Sequence, residues 1–187
     1  RDRAGVPRLR HAGHLRPALA AAFRASDQSA FAPPGAAAKT AANLDALRLL
    51  RALEGADRAA TADEQRVLAR WASWGALAHA FDERDPSGRR LHGELAELLT
   101  PHELTAARRS TLNAHYTDAG IAAAMWGLVV ALGFDGGRVL EPGCGTGVFL
   151  ATRPEHLAID ATGVEVEPVT ARIASFLHPD ADIRIEG

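Results

Sequence analysis

Cysteine, lysine and long apolar runs are nearly missing from this chain, and each shortage excludes something. The 187 residues hold 1 cysteine, Cys144, so no disulfide forms within the chain and a reducing, cytoplasmic setting is expected. Lys39 is the single lysine among 21 basic residues, and the phosphate-binding pattern GxxxxGK[ST] is absent. No apolar run reaches the ~18–20 residues of a membrane helix, and arginines interrupt the apolar stretch near the start. Neither a membrane span nor a signal-peptide core is therefore expected. A formal net charge of −2 is too small to mark a polyanion binder or to repel one. The 8 histidines are scattered; His11 and His14 form a helically spaced pair with no third ligand, so no metal site is expected.

What the chain does have is alanine and short apolar side chains, 47% hydrophobic in all with 5% aromatic. Alanine buries little area, which points to a helical core. With arginine at position 1, the chain is read as a piece of a longer one. Residues 1–38 are expected to be a tail and linker, with a short helix in HLRPALAAAFRA and a break at Pro33, Pro34 and Gly35. Residues 39–112 read as a helical domain. Leu44, Leu47, Leu50 and Leu53 share one helix face, and Gly55 is the expected stop. Thr61 and Glu64 make a capping box, and Val67, Trp71, Trp74, Ala78 and Phe81 follow as an apolar stripe of one helix. DPSG at 85–88 reads as a turn. Leu91, Leu95, Leu98 and Leu99 predict another helix, and Thr100 with Glu103 makes a second capping box with Pro101 behind the cap. Ile121, Met125, Leu128 and Leu132 mark a further helix that Gly133 ends.

From Arg138 the period changes. RVLE, DATGVEV and DIRIE read as three strands separated by helices from Gly147 and in PVTARIASFL. Strand–helix alternation of this kind predicts a parallel sheet with right-handed crossovers. The fold class is therefore α/β, with a helical N-terminal region before about three Rossmann-like strands.

The stretch RVLEPGCGTGVFL places glycines between a strand and a helix, where a ligand meets the backbone without a Cβ in the way. Gly143, Gly145 and Gly147 give GxGxG, whereas the dinucleotide fingerprint is GxGxxG and Val148 stands one place past the third glycine. Glu165, at the end of the second strand, is placed to accept ribose hydroxyls, with Val166 to pack on a base and Glu167 pointing away. A dinucleotide-binding oxidoreductase fragment stays open as an alternative, as does a structural glycine turn.

Glu141-Pro142-Gly143-Cys144-Gly145-Thr146-Gly147 resembles motif I of the class I methyltransferases, which bind S-adenosylmethionine. That resemblance implies that Glu141 faces the cofactor's cationic end, that Pro142, Gly143, Cys144, Gly145 and Gly147 line it, and that Glu165 and Val166 hold its nucleoside. NAHYTDAGIAAAMW resembles the segment preceding motif I in gamma-type amino DNA methyltransferases, which implies cofactor contacts from Tyr116 and Thr117. There Thr117 and the free N–H groups of the following helix would hold the cofactor carboxylate. Asp118 replaces that family's usual proline. Over roughly residues 40–187 the order of segments is similar to the front of large bacterial adenine-specific DNA methylases fused to a helicase, which occur near restriction and defence genes. The resemblance makes 113–187 the first half of a cofactor-binding domain and makes DNA a partner of the full-length protein.

The same resemblance predicts an Asn-Pro-Pro-Tyr type motif to hold a flipped base, and these residues contain none; Pro33-Pro34 lies in the linker. The expectation is a cofactor-binding piece of an adenine DNA methyltransferase that transfers no methyl group by itself. A non-catalytic DNA- or protein-binding module with a degenerate methyltransferase lobe is the alternative from another class. Trp71 and Trp74 are expected in the core rather than stacked on a base. Arg108 and Arg109 read as a solvated basic pair, and Cys144 as packed rather than nucleophilic.

Overall fold

A computed structural model describes residues 21–82, 84–112 and 116–186. The His11/His14 pair and Asn113, Ala114 and His115 lie outside them, as does most of the expected helix in HLRPALAAAFRA; the described end of that stretch is not helical. Seven helical elements come first: a short 3-10 helix (Gln28–Ala30), α1 (Ala36–Ala56), α2 (Ala62–Ala69), a second 3-10 helix (Trp74–Phe81), α3 (Pro86–Leu98), α4 (Pro101–Ser110) and α5 (Ala119–Ala131). The α/β part follows as β1 (Gly136–Pro142), α6 (Val148–Thr152), β2 (Ala158–Glu165), α7 (Pro168–Leu177) and β3 (Asp182–Ile185). The strands are parallel in the order β1-β2-β3, with Glu141 beside Gly163 and Glu165 beside Ile185.

Local chemistry explains most of the helix starts. Both capping boxes form: Thr61 and Thr100 accept the N–H groups of Glu64 and Glu103, and each glutamate side chain takes its cap residue's own N–H. Asp85 caps α3 with Pro86 in the first turn, so DPSG opens a helix rather than making an isolated turn. Leu47, Leu50 and Leu53 are fully buried on α1 as the period predicts. The stop is not Gly55 but Asp57, which takes a left-handed conformation at φ 47.

Two expectations fail for tertiary reasons. The stripe from Val67 to Phe81 is not one helix: α2 ends at Ala69, residues 71–73 are non-helical, and the chain restarts as the second 3-10 helix. Asn43, buried on α1, causes the break. Its amide donates to Ser73 O at 2.8 Å and its carbonyl accepts the Ala72 N–H at 2.6 Å, taking backbone groups a helix would use. Ser73 is thereby held at φ 65, ψ 172, a region that costs a non-glycine residue about 1–3 kcal/mol. On α5 the buried residues are Ala119, Ala122 and Trp126, while Ile121, Met125, Leu128 and Leu132 are exposed. Small side chains let α5 lie close to α6, where Trp126 Nε1 donates to Phe149 O at 2.9 Å.

One hydrophobic core joins the helical part to the α/β part: Leu47, Leu50, Leu68, Trp71 and Leu95 pack in the same cluster as Val148, Val169, Ile173 and Leu177. Phe23 and Phe31 belong to it as well, with their rings edge to face at 6.0 Å. The stretch before α1 is therefore packed, and Phe23 N donates to Leu177 O at 2.7 Å. Glu103 clamps three helices. It accepts from Arg51 of α1 at 2.6 Å and from Arg172 of α7, while Glu54 bonds Arg51 at 2.8 Å. A second, smaller cluster of Cys144, Leu150, Ala161, Ala171, Ala174 and Ile183 lies between the sheet and its helices.

Candidate functional site

The end of β1, the glycine loop, the end of β2 and the start of α7 meet at one corner. A cavity of about 230 Å³ opens there, lined among others by Tyr116, Thr117, Gly143, Cys144, Gly145, Glu165 and Val166. Seven of the ten residues singled out from the sequence thus share one cavity; Glu141, Pro142 and Gly147 do not line it.

The three loop glycines have left-handed φ values of +72, +56 and +83 for three different surroundings. A Cβ on Gly143 would meet nothing within 4 Å, so this is the open backbone a ligand can approach. On Gly145 it would lie 2.8 Å from the Tyr116 ring, and on Gly147 it would lie 2.5 Å from the His178 imidazole. Those two glycines admit protein side chains. Gly163 of β2 does the same for Cys144, whose Sγ would be 2.9 Å from an added Cβ.

Glu165 ties the corner together. Its Oε2 accepts the Gly145 N–H at 2.9 Å and its Oε1 accepts the Glu167 N–H at 2.8 Å. Each oxygen keeps a lone pair for a further donor. Val166 beside it is 66% exposed, an apolar surface next to an acceptor. Tyr116 is partly buried; burial of its hydroxyl first, and then the Glu165 charge, push its pKa up, so it stays protonated.

Glu141 behaves differently. Its Oε2 is buried without a hydrogen-bond partner, and burial raises the carboxyl pKa to about 8. At pH 7 such a carboxyl is mostly neutral, and a cation beside it would favour its charged form. Cys144 is 4% exposed, and burial, reinforced by Glu141 and Glu165, pushes its thiol to about 12. It packs in the small core and has no thiolate character at neutral pH.

The N-terminus of α5 is already occupied, contrary to the anion site expected there. Asp118, not Thr117, caps it, accepting from Gly120 at 2.8 Å and Ile121 at 3.4 Å, and Gln28 Oε1 takes the Ala119 N–H at 2.9 Å. Thr117 itself lines the cavity.

Several residues of the corner were not singled out from sequence. Glu167 does not point away: it is 5% exposed, lines the cavity and caps α7 through the N–H groups of Val169 and Thr170. Acid followed by Pro168 and then Thr170 is itself a helix-start signal and would have found it. Trp71 and Trp74 are buried as expected, their rings edge to face at 4.9 Å. Trp74 also lines the cavity, and its buried Nε1 has no partner. His178, fully buried, sits 3.1 Å from Thr146 O and holds the loop from behind. Arg108 and Arg109 lie in the last turn of α4, away from this cavity. Among the described residues no cluster of histidine, cysteine, aspartate or glutamate could hold a metal, and no helix is long and apolar enough to cross a membrane.

No family model matches the chain, and no solved structure matches it. It is 33% identical over 98 residues, 52% of its length, to the "Defense against restriction protein B" of Escherichia phage P1, of whose own length the match spans 4%. The chain is thus similar to a small part of a much larger restriction-related protein.

Proposed function

We propose that this chain binds S-adenosylmethionine at the glycine-loop corner, as part of a DNA adenine methyltransferase. The observation that carries the reading is the junction of Gly145 and Glu165, which sets a fixed acceptor beside open backbone at Gly143 and the apolar surface of Val166. A nucleoside has the matching chemistry: ribose hydroxyls donate to Glu165 and the base lies on Val166. The orphaned carboxylate of Glu141 fits a cationic group, and the cofactor carries both an ammonium and a sulfonium. The pyrophosphate of NAD is an anion and would gain nothing from two part-buried acids beside the loop.

At about 230 Å³ the cavity is smaller than the ~300–1,000 Å³ typical of small-molecule clefts, so part of the ligand would lie on the open side over Val166. When bound, the cofactor supplies an activated methyl group for a nucleophilic amine. The residues of this chain would bind and orient it: Glu165 holds the ribose, Glu141, outside the cavity lining, favours a cation there through its field, and Thr117 lines the cavity with a hydroxyl donor for its carboxylate. The thiol of Cys144 and the hydroxyl of Tyr116 both stay protonated, so neither serves as a nucleophile at neutral pH. DNA as substrate is supported by the similarity to a protein named for defence against restriction.

The test is equilibrium dialysis with tritium-labelled S-adenosylmethionine. Retained label that excess S-adenosylhomocysteine displaces, and excess NAD does not, is the expected result. Displacement by NAD would move the chain to the oxidoreductase reading.

A further inference from the structure

A second and larger cavity, about 660 Å³, adjoins the first, and Tyr116 and Ser73 line both. Among the described residues its lining contains Gln28, Ser29, Lys39 and Arg70 and no carboxylate. Seven arginines of the described residues, Arg48, Arg51, Arg58, Arg66, Arg153, Arg172 and Arg184, spend their charge on nearby acids. Lys39 and Arg70 are in no such ion pair, though Lys39 is half-buried. Two cations, Lys39 of α1 and Arg70 at the C-terminal cap of α2, thus face one open cleft with no acid among the described residues of its wall. The first turn of α1, capped by no side chain, adds the positive end of a 21-residue helix beside Pro34. Gln28 gives its carbonyl to Ala119, which leaves its amide N–H₂ as a further donor. The wall between the two cavities is rigid and strained, because Asn43 holds Ser73 at φ 65 from both sides.

We infer that this cleft holds the phosphodiester backbone of a single DNA strand, with Lys39 and Arg70 on phosphates, and brings the adjoining nucleotide to the Tyr116–Ser73 wall of the cofactor cavity. The inference rests on the proposed methyltransferase reading for the identity of the polyanion; the cleft, its charge and its shared wall stand on geometry. A cleft wide enough for a nucleotide, cationic and opening on the nucleoside corner, suits a strand that crosses it better than a single small anion.

The experiment measures binding of a fluorescein-labelled single-stranded oligonucleotide to the whole chain by anisotropy from 50 to 300 mM salt. Each phosphate contact to a single strand contributes about 0.7 to the slope of log K against log [salt]. The double variant Lys39→Gln/Arg70→Gln should weaken binding at low salt and reduce that slope by about 1.4, while Arg66→Gln, outside the cleft, should leave both unchanged. Thermal melts confirm that each variant is folded; Arg70 is exposed at the end of α2 and Lys39 is half-buried on α1. Absence of oligonucleotide binding, an unchanged slope in the double variant, or equal competition by inorganic phosphate at the oligonucleotide's phosphate concentration would overturn the inference. Loss of slope only in Arg108→Gln/Arg109→Gln would overturn it too. Dialysis with labelled cofactor on the same variants separates the two readings. Cofactor binding with no Lys39/Arg70 dependence of DNA binding sinks the cleft alone, and the converse sinks the cofactor site alone.

Discussion

The backbone N–H of Gly145 donates to Oε2 of Glu165 at 2.9 Å, so the glycine loop and the acid at the end of the next strand form one hydrogen-bonded unit. The loop's shape is therefore a property of the protein and not of whatever binds there. Tyr116 presses on the same glycine from the other side, and the phenol ring occupies the space a Cβ would need.

Substitution at Gly145 should act on two levels. Gly145→Ala forces a side chain to φ +56 and to 2.8 Å from Tyr116, and should destabilise the chain by about 1–3 kcal/mol. Gly145→Val should abolish ligand binding. Gly143→Ala, with the same sign of φ but open space around it, should cost only about 1 kcal/mol. Urea unfolding of the three variants checks the order; equal losses at both positions would show that Tyr116 is not the constraint.

The buried imidazole of His178 should make stability fall on mild acidification. Burial lowers its pKa to about 4, against about 6.5 in the unfolded chain. Above pH 6.5 both states are neutral and the contribution is complete. As pH falls from 6.5 towards 4, the unfolded chain takes up a proton that the folded chain refuses, and stability drops by up to about 1.4 kcal/mol per pH unit. Urea midpoints between pH 7 and pH 4 should show this slope in the parent and lose it in His178→Gln. A slope unchanged in the variant would assign it elsewhere.

Glu103 acts in a separate and lower window. Burial disfavours its charge, but Arg51, the Thr100 N–H and Arg172 outweigh burial and hold the carboxyl at about 2. Its contribution is present above about pH 4.5 and is lost as pH falls through 2. Glu103→Ala should cost about 3–5 kcal/mol, because two part-buried arginines, Arg51 and Arg172, are left sharing Glu54 alone. A loss below 1 kcal/mol in chemical unfolding at pH 7 would show that Glu54 alone suffices for both arginines.

Which of these features were legible in the sequence follows from how far apart their causes lie. Both capping boxes and the strand–glycine loop–helix order depend on residues a few positions apart, and they read correctly. The break after α2 depends on Asn43, which is remote in sequence and reaches Ala72 and Ser73 only in the folded chain. The buried face of α5 is set by close approach to α6, which selects Ala119 and Ala122 over the larger Ile121 and Met125 that periodicity favours. His178 carries no local signal at all, because its partners are Gly147 and Thr146 across the fold. Seven candidate residues meet in one cavity because β1 and β2 are parallel, so the glycine loop after β1 and Glu165–Val166 at the end of β2 lie at the same edge of the sheet.

Binding should release a proton through Glu141. Its carboxyl, raised to about 8 by burial, is mostly protonated at pH 7; a ligand cation beside it favours the charged form. Calorimetric enthalpies in buffers of different ionisation heat should report release of about 0.5–1 proton at pH 7, and affinity should rise with pH up to about 8. Glu141→Gln should bring the release close to zero. Proton release that persists in Glu141→Gln would place the titrating group elsewhere.

The most direct test of the account is calorimetric titration of S-adenosylmethionine into the parent chain, Glu165→Ala and Glu167→Gln. Glu165 is expected to hold the ribose, so Glu165→Ala should lose about 1.5–3 kcal/mol, roughly 10- to 150-fold, the scale of a charge-assisted hydrogen bond. Glu167→Gln, whose carboxyl is engaged by the N–H groups at the start of α7, should bind within about threefold of the parent, roughly 0.6 kcal/mol, although it melts earlier. A Glu165→Ala chain that binds as tightly as the parent, or a parent that binds no S-adenosylmethionine, would contradict the assignment of this corner.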